Sequence, residues 1–559
     1  MEANRESGAS GRQVGPLEWW CRLNWTKKTT ITVLLAVGAW CLGHPPLAGA
    51  ILLLSFALDF YIYRQNVREL SHVPGLCQFV PPFSPIMRVL PTNPICPHGP
   101  GLAMRMTQHF NRHQTNLLSL ATFGRATFFT RSAEHVKEMT VTRPHAFPKP
   151  TFLYGALELF GSNIVTAEDG QEWKKHRHLC QPAFNGVRNW HLVHRVTHEK
   201  ATNLFRTWEE EGNMSEKGHI FVDQDTDMFA LTLAVIAEAG FGQKFGVSRE
   251  LHRGNELTFE KALTTVSETV LRYILIPSFA YKLPIQALRN IQDSFDYFRQ
   301  SLADMVAERS AQVQASQGKD DNDLLSLLVR ANAAQPDPGR PLRHRLTEEE
   351  IIGDTFMILV AGHETTANAL LWTMRLLAFY PEIQKKAQQE VDDVTGGETT
   401  FSFEDLSSLV YCRCIFQEVL RLYPIVPVVP KWCPEETTLG GHVIPAGSVV
   451  DINIMDLHTN PEYWERPHDF YPERFDPRLR AEKLNPYSFI PFSTGSRKCI
   501  GYRFAEIEAT ITIARLVAEY NISLPDETMS KAQLLEGKNL LTHRPANRIR
   551  LKLSKRGPK

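Results

Sequence analysis

The segment that most limits the possible fold is a proline-free stretch that begins after Thr347 and ends at Pro381. Thr347 and Glu350 form a capping-box signature, which predicts that a helix begins there. A helix over the whole stretch has about 33 residues and a length of roughly 50 Å. Its middle, residues 356–372, reads FMILVAGHETTANALLW and is apolar on both sides of a polar cluster. Such a helix must cross the interior of a large fold, where polar side chains cost free energy unless they have partners or a function.

Length and charge fit a large globular body. The chain has 559 residues, which predicts either two modest domains or one large fold around a cofactor. Lys and Arg together number 61, as do Asp and Glu, so the formal net charge is zero. Because the chain as a whole does not attract nucleic acid, we expect no nucleic-acid partner and only local charged patches.

Nine cysteines are spread along the chain without any C-x-x-C pair. An odd, scattered set is not a disulfide scaffold, and zinc or iron–sulfur sites need clustered ligands. The one close pair, Cys412 and Cys414, has no matching partners downstream. Both are therefore predicted to be ordinary buried thiols.

Two apolar segments near the N-terminus, residues 29–42 and 47–63, are separated by the sequence GHPP. Each is short for a membrane span of about 20 residues, and the paired prolines favour a break between them. We expect a membrane anchor over 29–63, either one long interrupted span or a shallow hairpin, after an N-terminal tail over 1–28. No small-residue cleavage site follows, so a secretory signal is not favoured.

The orientation of this anchor stays open at the sequence level. Basic residues flank it on both sides, so the positive-inside rule does not choose between the two directions: Arg22, Lys27 and Lys28 precede it, and Arg64 and Arg68 follow it.

A proline-rich segment over 64–100 is predicted to be a stiff hinge. Beyond it, long helical patterns dominate, with short β-like pieces at 126–132, 437–454 and 547–553. The pattern predicts a mainly α body with small β-sheets over 101–559.

The sequence FSTGSRKCIG near the C-terminus resembles the haem-binding loop F-x-x-G-x-R-x-C-x-G of the cytochrome P450 superfamily. Every fixed position is matched: Phe492, Gly495, Arg497, Cys499 and Gly501. The resemblance implies the P450 fold as a single large haem domain, haem b as the cofactor, and Cys499 as the thiolate ligand of its iron. The chemistry fits, because nearby cations and a following helix N-terminus favour a thiolate, and glycines let the backbone approach a flat macrocycle.

The sequence AGHETT at 361–366 resembles the oxygen-activation motif of the same superfamily. The resemblance implies that Gly362 opens space beside the haem and that Glu364 and Thr365 are catalytic, delivering protons to dioxygen. Taken alone, the pattern also fits a surface glutamate and a threonine that bonds the carbonyl four residues earlier.

Two further motifs resemble structural and haem-contacting elements of the superfamily. Trp173 and Arg177, four residues apart in WKKHRH, match a W-x-x-x-R element that reaches a haem propionate, although an amphipathic surface helix has the same spacing. Glu418 and Arg421 in EVLR, with Arg474 downstream, match a buried Glu-Arg-Arg network that braces the haem loop. An isolated pair three residues apart is usually solvated, so this role rests on the resemblance.

One position departs from the superfamily pattern. Lys431 in RLYPIVPVVPKW stands where an arginine usually contacts a propionate. Lysine supplies a point charge without the bidentate fork, so we expect haem binding to survive with a changed strength and redox poise.

By analogy with the superfamily, the substrate pocket is expected to be apolar and to take a lipophilic small molecule. Its candidate lining residues are Phe152, Leu153, Leu157, Phe160, Phe356, Ile358, Ala361, Ile425, Val426, Val428, Val429 and Leu541.

The resemblance implies a membrane-anchored haem-thiolate monooxygenase that inserts one oxygen atom from O₂ into its substrate. Secondary metabolism of a terpenoid-like compound is the first expectation, with fatty acids or xenobiotics as alternatives. Two alternatives belong to other functional classes: a haem-thiolate isomerase or peroxygenase, and a non-enzymatic haem sensor. Glu364 and Thr365 argue against them, since neither needs a proton relay.

No nucleotide-binding or flavin-domain motif follows the haem loop, so electrons are expected from NADPH-cytochrome reductase, with cytochrome b5 as a second candidate donor. An acidic donor could dock on a basic patch around Lys174, Lys175, Arg497, Lys498 and Arg503. The resemblance to eukaryotic, fungal-like members implies the endoplasmic reticulum membrane, with the catalytic domain facing the cytosol.

Overall fold

The computed structural model describes residues 31–33, 35–37, 39, 41, 44–77, 100–123, 125–210, 219–247, 257–276, 278–315, 323–333, 345–479, 483–526, 528–539 and 542–557. The predicted tail over 1–28 lies outside these residues.

Helices dominate the described chain. In order they are α1 (Pro45–Glu69), α2 (Pro100–His113), α3 (Ala133–Lys137), α4 (Gln171–Asn185), α5 (Val187–Glu210), α6 (Gln224–Phe241), α7 (Phe259–Leu275), α8 (Gln286–Ala315), α9 (Leu324–Ala333), α10 (Glu348–Phe379), α11 (Pro381–Thr395), α12 (Val410–Leu422), α13 (Ile454–Leu457), α14 (Tyr502–Glu519) and α15 (Lys531–Leu534).

Within the described residues, short strands form four small sheets. In order they are β1 (Gly75–Cys77), β2 (Leu117–Ala121), β3 (Thr127–Thr130), β4 (Ile220–Asp223), β5 (Val428–Trp432), β6 (Thr437–Leu439), β7 (His442–Ile444), β8 (Val449–Asn453), β9 (Tyr520–Ser523), β10 (Gly537–Asn539), β11 (His543–Pro545) and β12 (Arg550–Lys555). The β-like pieces of the sequence correspond to β3, β6 to β8 and β12, which confirms a mainly α fold with small sheets.

The central helix predicted from the sequence is α10, which has 32 residues. Its capping box is formed: the Glu350 N–H donates to Oγ1 of Thr347 at 3.2 Å, and the Thr347 N–H donates to Oε2 of Glu350 at 2.8 Å. Nearly every side chain from Gly353 to Ala378 is buried. The helix therefore crosses the interior, as its composition requires.

The chain divides into two compact units, whereas the sequence suggested one haem domain over 101–559. The first unit comprises 1–130, 145–147 and 431–451. It contains most of a sheet in the order β1-β2-β3-β8-β5, with β1 parallel to β2 and β2 antiparallel to β3. The division follows from this sheet, because strands distant in sequence pair within it. Met106, Phe110, Leu118, Leu120 and Phe129 form its core.

The second unit comprises 131–144, 148–430 and 452–559. Helix α10 packs along α6, α14 packs on α5, and an antiparallel sheet has the order β4-β12-β9. Cys412 and Cys414 are fully buried on α12, and burial raises the pKa of both thiols, that of Cys414 to about 12. This confirms that they are structural.

Helix α1 begins at the two prolines that were predicted to break the apolar segment, and it is long and apolar enough to cross a membrane by length and composition. It continues to Glu69, past the expected start of the hinge at residue 64. Residues 64–69 contain no proline or glycine, so nothing ends the helix there. Within the segment predicted to be a hinge, residues 75–77 form β1, and residues 78–99 lie outside the described residues.

Candidate active site

The Cys499 loop is closed by a backbone hydrogen bond. The Cys499 N–H donates to the carbonyl oxygen of Phe492 at 2.8 Å, and a 3₁₀ turn spans Gly495–Arg497 between them. Gly495 has a φ of +70°, and a Cβ there would lie 2.3 Å from the carbonyl oxygen of Thr140. Only glycine fits this position, because both the left-handed backbone and the close approach exclude a side chain.

Cys499 lies at the end of this loop, just before α14, and its surface is accessible from a cavity. Protein atoms surround it otherwise, and this desolvation raises the pKa of its thiol. The Gly501 N–H and the charges of Arg177 and Lys498 lower that pKa. These three groups are the features that stabilise a thiolate at a helix N-terminus.

The cavity next to Cys499 has a volume of about 330 Å³ and lies within the second unit. One face of α10 lines it through Met357, Ile358, Ala361, Gly362, Thr365, Thr366 and Ala369. The spacing of three and four residues is that of a single helical face. The cysteine loop and the AGHETT segment therefore share one cavity.

Arginine and tryptophan side chains flank the cysteine loop. Nη1 of Arg177 donates to the carbonyl oxygen of Lys498 at 2.9 Å. The Arg497 guanidinium lies over the Trp173 ring, 4.7 Å from its centre, and its Nε donates to Asp169 at 2.7 Å. Trp173, Arg177 and Arg497 all line the cavity, so the structure brings together the residues of the W-x-x-x-R element and the haem-loop motif.

Glu364 and Thr365 point to different surroundings. Thr365 lines the cavity, and its hydroxyl donates to the carbonyl oxygen of Ala361 at 2.7 Å, the back-bond considered from the sequence. Glu364 is buried and accepts a hydrogen bond from the Thr542 hydroxyl at 2.5 Å. Burial raises the pKa of the Glu364 carboxyl, while the Thr542 hydrogen bond and the charge of Arg544 lower it. Glu364 is therefore not a surface residue.

Glu418, Arg421 and Arg474 form a buried network. Nε and Nη2 of Arg421 donate to the two Glu418 oxygens at 2.7 and 2.8 Å, and Nε of Arg474 donates to Oε1 of Glu418 at 3.1 Å. Nη1 of Arg421 also donates to the carbonyl oxygen of His458, whose Nε2 accepts from the Ile490 N–H at 2.9 Å. The network thus reaches the segment that leads into the cysteine loop.

Other predicted residues have different positions. Ile358, Ala361, Ile425, Val426 and Val429 line the cavity. Six other candidates are described by the structure but do not line the cavity: Phe152, Leu153, Leu157, Phe160, Phe356 and Val428.

Two physical reasons explain four of these six absences. Phe152 and Leu153 are exposed on their loop. Phe356 lies on another face of α10, where its ring packs 4.5 Å from that of Phe160 in the core. Leu541 lies outside the described residues. Lys431 is buried on β5 in the first unit, and its contact with a propionate stays a prediction.

The sequence did not single out Lys149, Asn368 or Thr542. Lys149 lines the cavity and donates from Nζ to the carbonyl oxygen of Val165 at 2.5 Å. Nδ2 of Asn368, one turn beyond Glu364 on α10, donates to Oγ1 of Thr542 at 2.9 Å. Asn368 could have been suspected as a polar residue on an apolar helix, whereas Lys149 and Thr542 carry no local signal.

Comparison with known proteins agrees with this geometry. The family model for cytochrome P450 matches residues 87–551. Cytochrome P450 monooxygenase 124 of Postia placenta is 31% identical over 473 residues, which cover 80% of this chain and 87% of that protein. Cytochrome P450 3A9 of Rattus norvegicus is 27% identical and covers 68% of this chain and 75% of its own length.

The crystal structure of the cytochrome P450DA heme domain has the same fold. It superposes with a TM-score of 0.71, covering 87% of this chain and 98% of the heme domain at 24% identity. With the family model matching most of the chain, this chain belongs to the cytochrome P450 family of haem b-dependent monooxygenases.

Proposed function

We propose that Cys499 is the thiolate ligand of haem b in the cavity, and that the enzyme inserts one atom of dioxygen into a lipophilic, terpenoid-like small molecule. The observation that carries this proposal is that Cys499 and the Ala361–Thr366 segment line the same cavity.

The residues present fit a haem. Gly495 and the Cys499 N–H hold the loop backbone in a fixed turn, and Cys499 and Gly501 both line the cavity. The Gly501 N–H and the cations Arg177 and Lys498 favour the charged form of the sulfur. When haem is bound, its iron supplies dioxygen activation, and thiolate donation favours cleavage of the O–O bond.

Trp173, Arg177 and Arg497 are proposed to hold the haem propionates. Arg497 is already fixed by Asp169 and by the carbonyl oxygens of Ile164 and Ala167 at 3.1 and 2.7 Å. A guanidinium held in this way loses little further side-chain entropy when it binds a carboxylate.

Glu364 and Thr365 are proposed to move protons toward the cavity. Thr365 lines the cavity, and the neighbouring Glu364 holds its carboxyl against the Thr542 hydroxyl. The raised pKa of Glu364 brings its protonation nearer to neutral pH, where a carboxyl can both accept and release a proton.

The cavity lining supports a lipophilic substrate. Ile358, Ala361, Ile425, Val426 and Val429 form an aliphatic face. The cations among the described lining residues lie elsewhere in the cavity wall. Arg177 is on α4, Arg497 and Lys498 are in the cysteine loop, and Lys149 is in the 149–165 region. An uncharged hydrocarbon-rich molecule therefore fits better than a carboxylate such as a fatty acid.

Members of this family generally take electrons from redox partners. Lys174, Lys498 and Arg503 are exposed near the cysteine loop and its neighbouring helix, which supports docking of an acidic donor such as NADPH-cytochrome reductase. The apolar helix α1 supports attachment to the endoplasmic reticulum membrane with the catalytic units in the cytosol.

The test is expression in microsomes with NADPH and a reductase, followed by mass spectrometry of a panel of terpenoids, fatty acids and aromatic compounds. The proposal expects products that gain one oxygen from labelled O₂, mainly from the terpenoids. Turnover without NADPH and reductase indicates isomerase or peroxygenase chemistry and contradicts it.

A further inference from the structure

We propose that residues 31–55 form a helical hairpin that inserts into one leaflet of the membrane, so that the N-terminal tail and the catalytic units lie on the same side. This inference rests on the membrane attachment proposed above and adds its topology. A single membrane-spanning helix would instead place the tail and the catalytic units on opposite sides of the membrane.

A hydrogen bond joins the two arms of the hairpin. Residues 31–33, 35–37, 39 and 41 are helical, and α1 begins at Pro45. Oγ1 of Thr32 and Oγ of Ser55 are 2.9 Å apart, although 23 positions separate them in sequence. The His44 N–H donates to the carbonyl oxygen of Ala39 at 2.9 Å, which turns the backbone between the arms.

Small residues let the arms approach closely. Ala36, Ala39 and Ala48 are 6%, 7% and 5% exposed and form a packed cluster with Ile51. Alanine contacts together with a hydroxyl pair are the means by which helices associate inside a bilayer, where water does not drive apolar side chains together.

The arms are too short to cross a membrane separately. Each runs about ten residues from the Thr32–Ser55 pair to the turn, which is roughly 15 Å, or half of a hydrocarbon core about 30 Å thick. Beyond Ser55, helix α1 packs within its own unit. Its Phe56 and Tyr63 rings meet the Phe123 ring edge-on, and Nδ2 of Asn66 donates to the carbonyl oxygen of Thr122 at 3.0 Å. One side of this part of α1 therefore contacts protein, while Phe60 and Tyr61 on it are exposed.

The outer surface of the hairpin is apolar and fits lipid chains. No Asp, Glu, Lys or Arg occurs between Lys28 and Asp59. Large apolar side chains on both arms are exposed to about half or more of their surface: Val33, Leu35, Val37, Leu47, Leu52, Leu53 and Leu54. An apolar patch of this kind promotes aggregation when water surrounds it. Lipid acyl chains can cover it without burying any polar group.

Charge supports one orientation. Lys27 and Lys28 precede one arm, and Arg64 and Arg68 follow the other. This balance does not orient a single span, but a hairpin places both pairs at its base on the same side. The positive-inside rule then assigns that side to the cytosol.

A cross-link between the arms tests the hairpin directly. In microsomes carrying the double variant T32C/S55C, mild oxidation is expected to remove two thiols from reaction with a polyethylene-glycol maleimide after denaturation. The single variants T32C and S55C are the controls and are expected to lose none. On one continuous helix the two positions lie roughly 35 Å apart, so an unchanged thiol count in the double variant overturns the proposal.

The location of the tail gives a second, independent test. An epitope in residues 1–28 is expected to be cleaved by protease added to sealed microsomes, while a lumenal marker protein is protected. The variant G8N, which completes an Asn-x-Ser acceptor with Ala9 and Ser10, is expected to carry no glycan, like its control G8N/S10A. Protection of the epitope, a glycan on G8N that S10A removes, or recovery of the chain in the soluble fraction overturns the proposal. The ferrous carbonyl spectrum of the same microsomes reports the haem site separately.

Discussion

The Thr542 hydroxyl donates to Oε1 of Glu364 at 2.5 Å and accepts from Nδ2 of Asn368 at 2.9 Å. Two residues of α10, one turn apart, are thus joined through a side chain from the C-terminal region. The arrangement fixes the Glu364 carboxyl against Thr542, which makes Thr542 a positioning residue for the proposed proton supply.

Replacing Thr542 by valine removes this hydrogen bond while keeping the shape of the side chain. Burial raises the pKa of Glu364, and the Thr542 hydrogen bond is the main interaction that lowers it. Without that hydrogen bond the pKa rises further, so Glu364 ionises at a higher pH. We expect T542V to lower the rate of product formation roughly tenfold or more and to shift its pH profile to higher pH. T542S is expected to restore both. The control T373V removes another buried hydroxyl of α10, which bonds the Ala369 carbonyl, and should change neither.

Thr365 provides a second test of proton delivery. T365A is expected to retain haem and substrate binding but to divert NADPH electrons to hydrogen peroxide, with product per NADPH falling by about tenfold or more. The measurement is the ratio of product and peroxide to NADPH consumed. T365S keeps the hydroxyl and is the matched control. If T365A forms product with the coupling of the parent enzyme, Thr365 does not supply protons.

The buried pair Glu418 and Arg421 is expected to control assembly of the haem site. R421M leaves the buried Glu418 carboxylate with Arg474 as its remaining arginine partner, and loss of one partner of a buried ion pair typically destabilises a fold by about 3–5 kcal/mol. Arg421 also donates to the carbonyl oxygen of His458, and the His458 ring accepts a hydrogen bond from the Ile490 N–H in the segment before the cysteine loop. We therefore expect the haem content to fall together with the stability. Haem per protein and thermal unfolding measure the two effects. The exposed pair Arg466–Asp469 is the control, since R466M should lower neither appreciably.

Asp451 is a fully buried carboxyl on β8, and burial raises its pKa from an ordinary value of 3.8 to about 7. A raised folded-state pKa gives a contribution to stability that is complete below the ordinary pKa and is lost as the pH rises through the folded value. We therefore expect D451N to gain stability over the parent as the pH rises, by roughly 4 kcal/mol at most above pH ~7. Thermal unfolding at several pH values measures this gap. A gap that stays constant with pH contradicts the assignment.

Much of the fold could be predicted because its signals are local. The capping box of Thr347 and Glu350 and the absence of proline up to Pro381 were sufficient to place α10 within a residue at each end. Prolines marked the start of α1 equally well. The division into two units could not be predicted, because it depends on pairing between strands hundreds of residues apart, such as β3 and β8.

The candidate site was predictable where one short motif held all of its residues, as in the loop around Cys499. It was less predictable where side-chain direction decided the outcome. Phe356 and Met357 are neighbours in sequence, yet only Met357 lines the cavity, because successive residues of a helix point about 100° apart. The partner of Glu364 could not be found from sequence, since Thr542 follows it by 178 positions.

The ferrous carbonyl spectrum of the C499A variant tests the central claim most directly. The parent protein is expected to show the long-wavelength Soret band of a thiolate-ligated haem, and C412A and C414A are expected to retain it, because both thiols are buried away from the cavity. C499A is predicted to lose the band completely. A long-wavelength band that persists in folded, haem-containing C499A would show that another residue ligates the iron and would contradict the account.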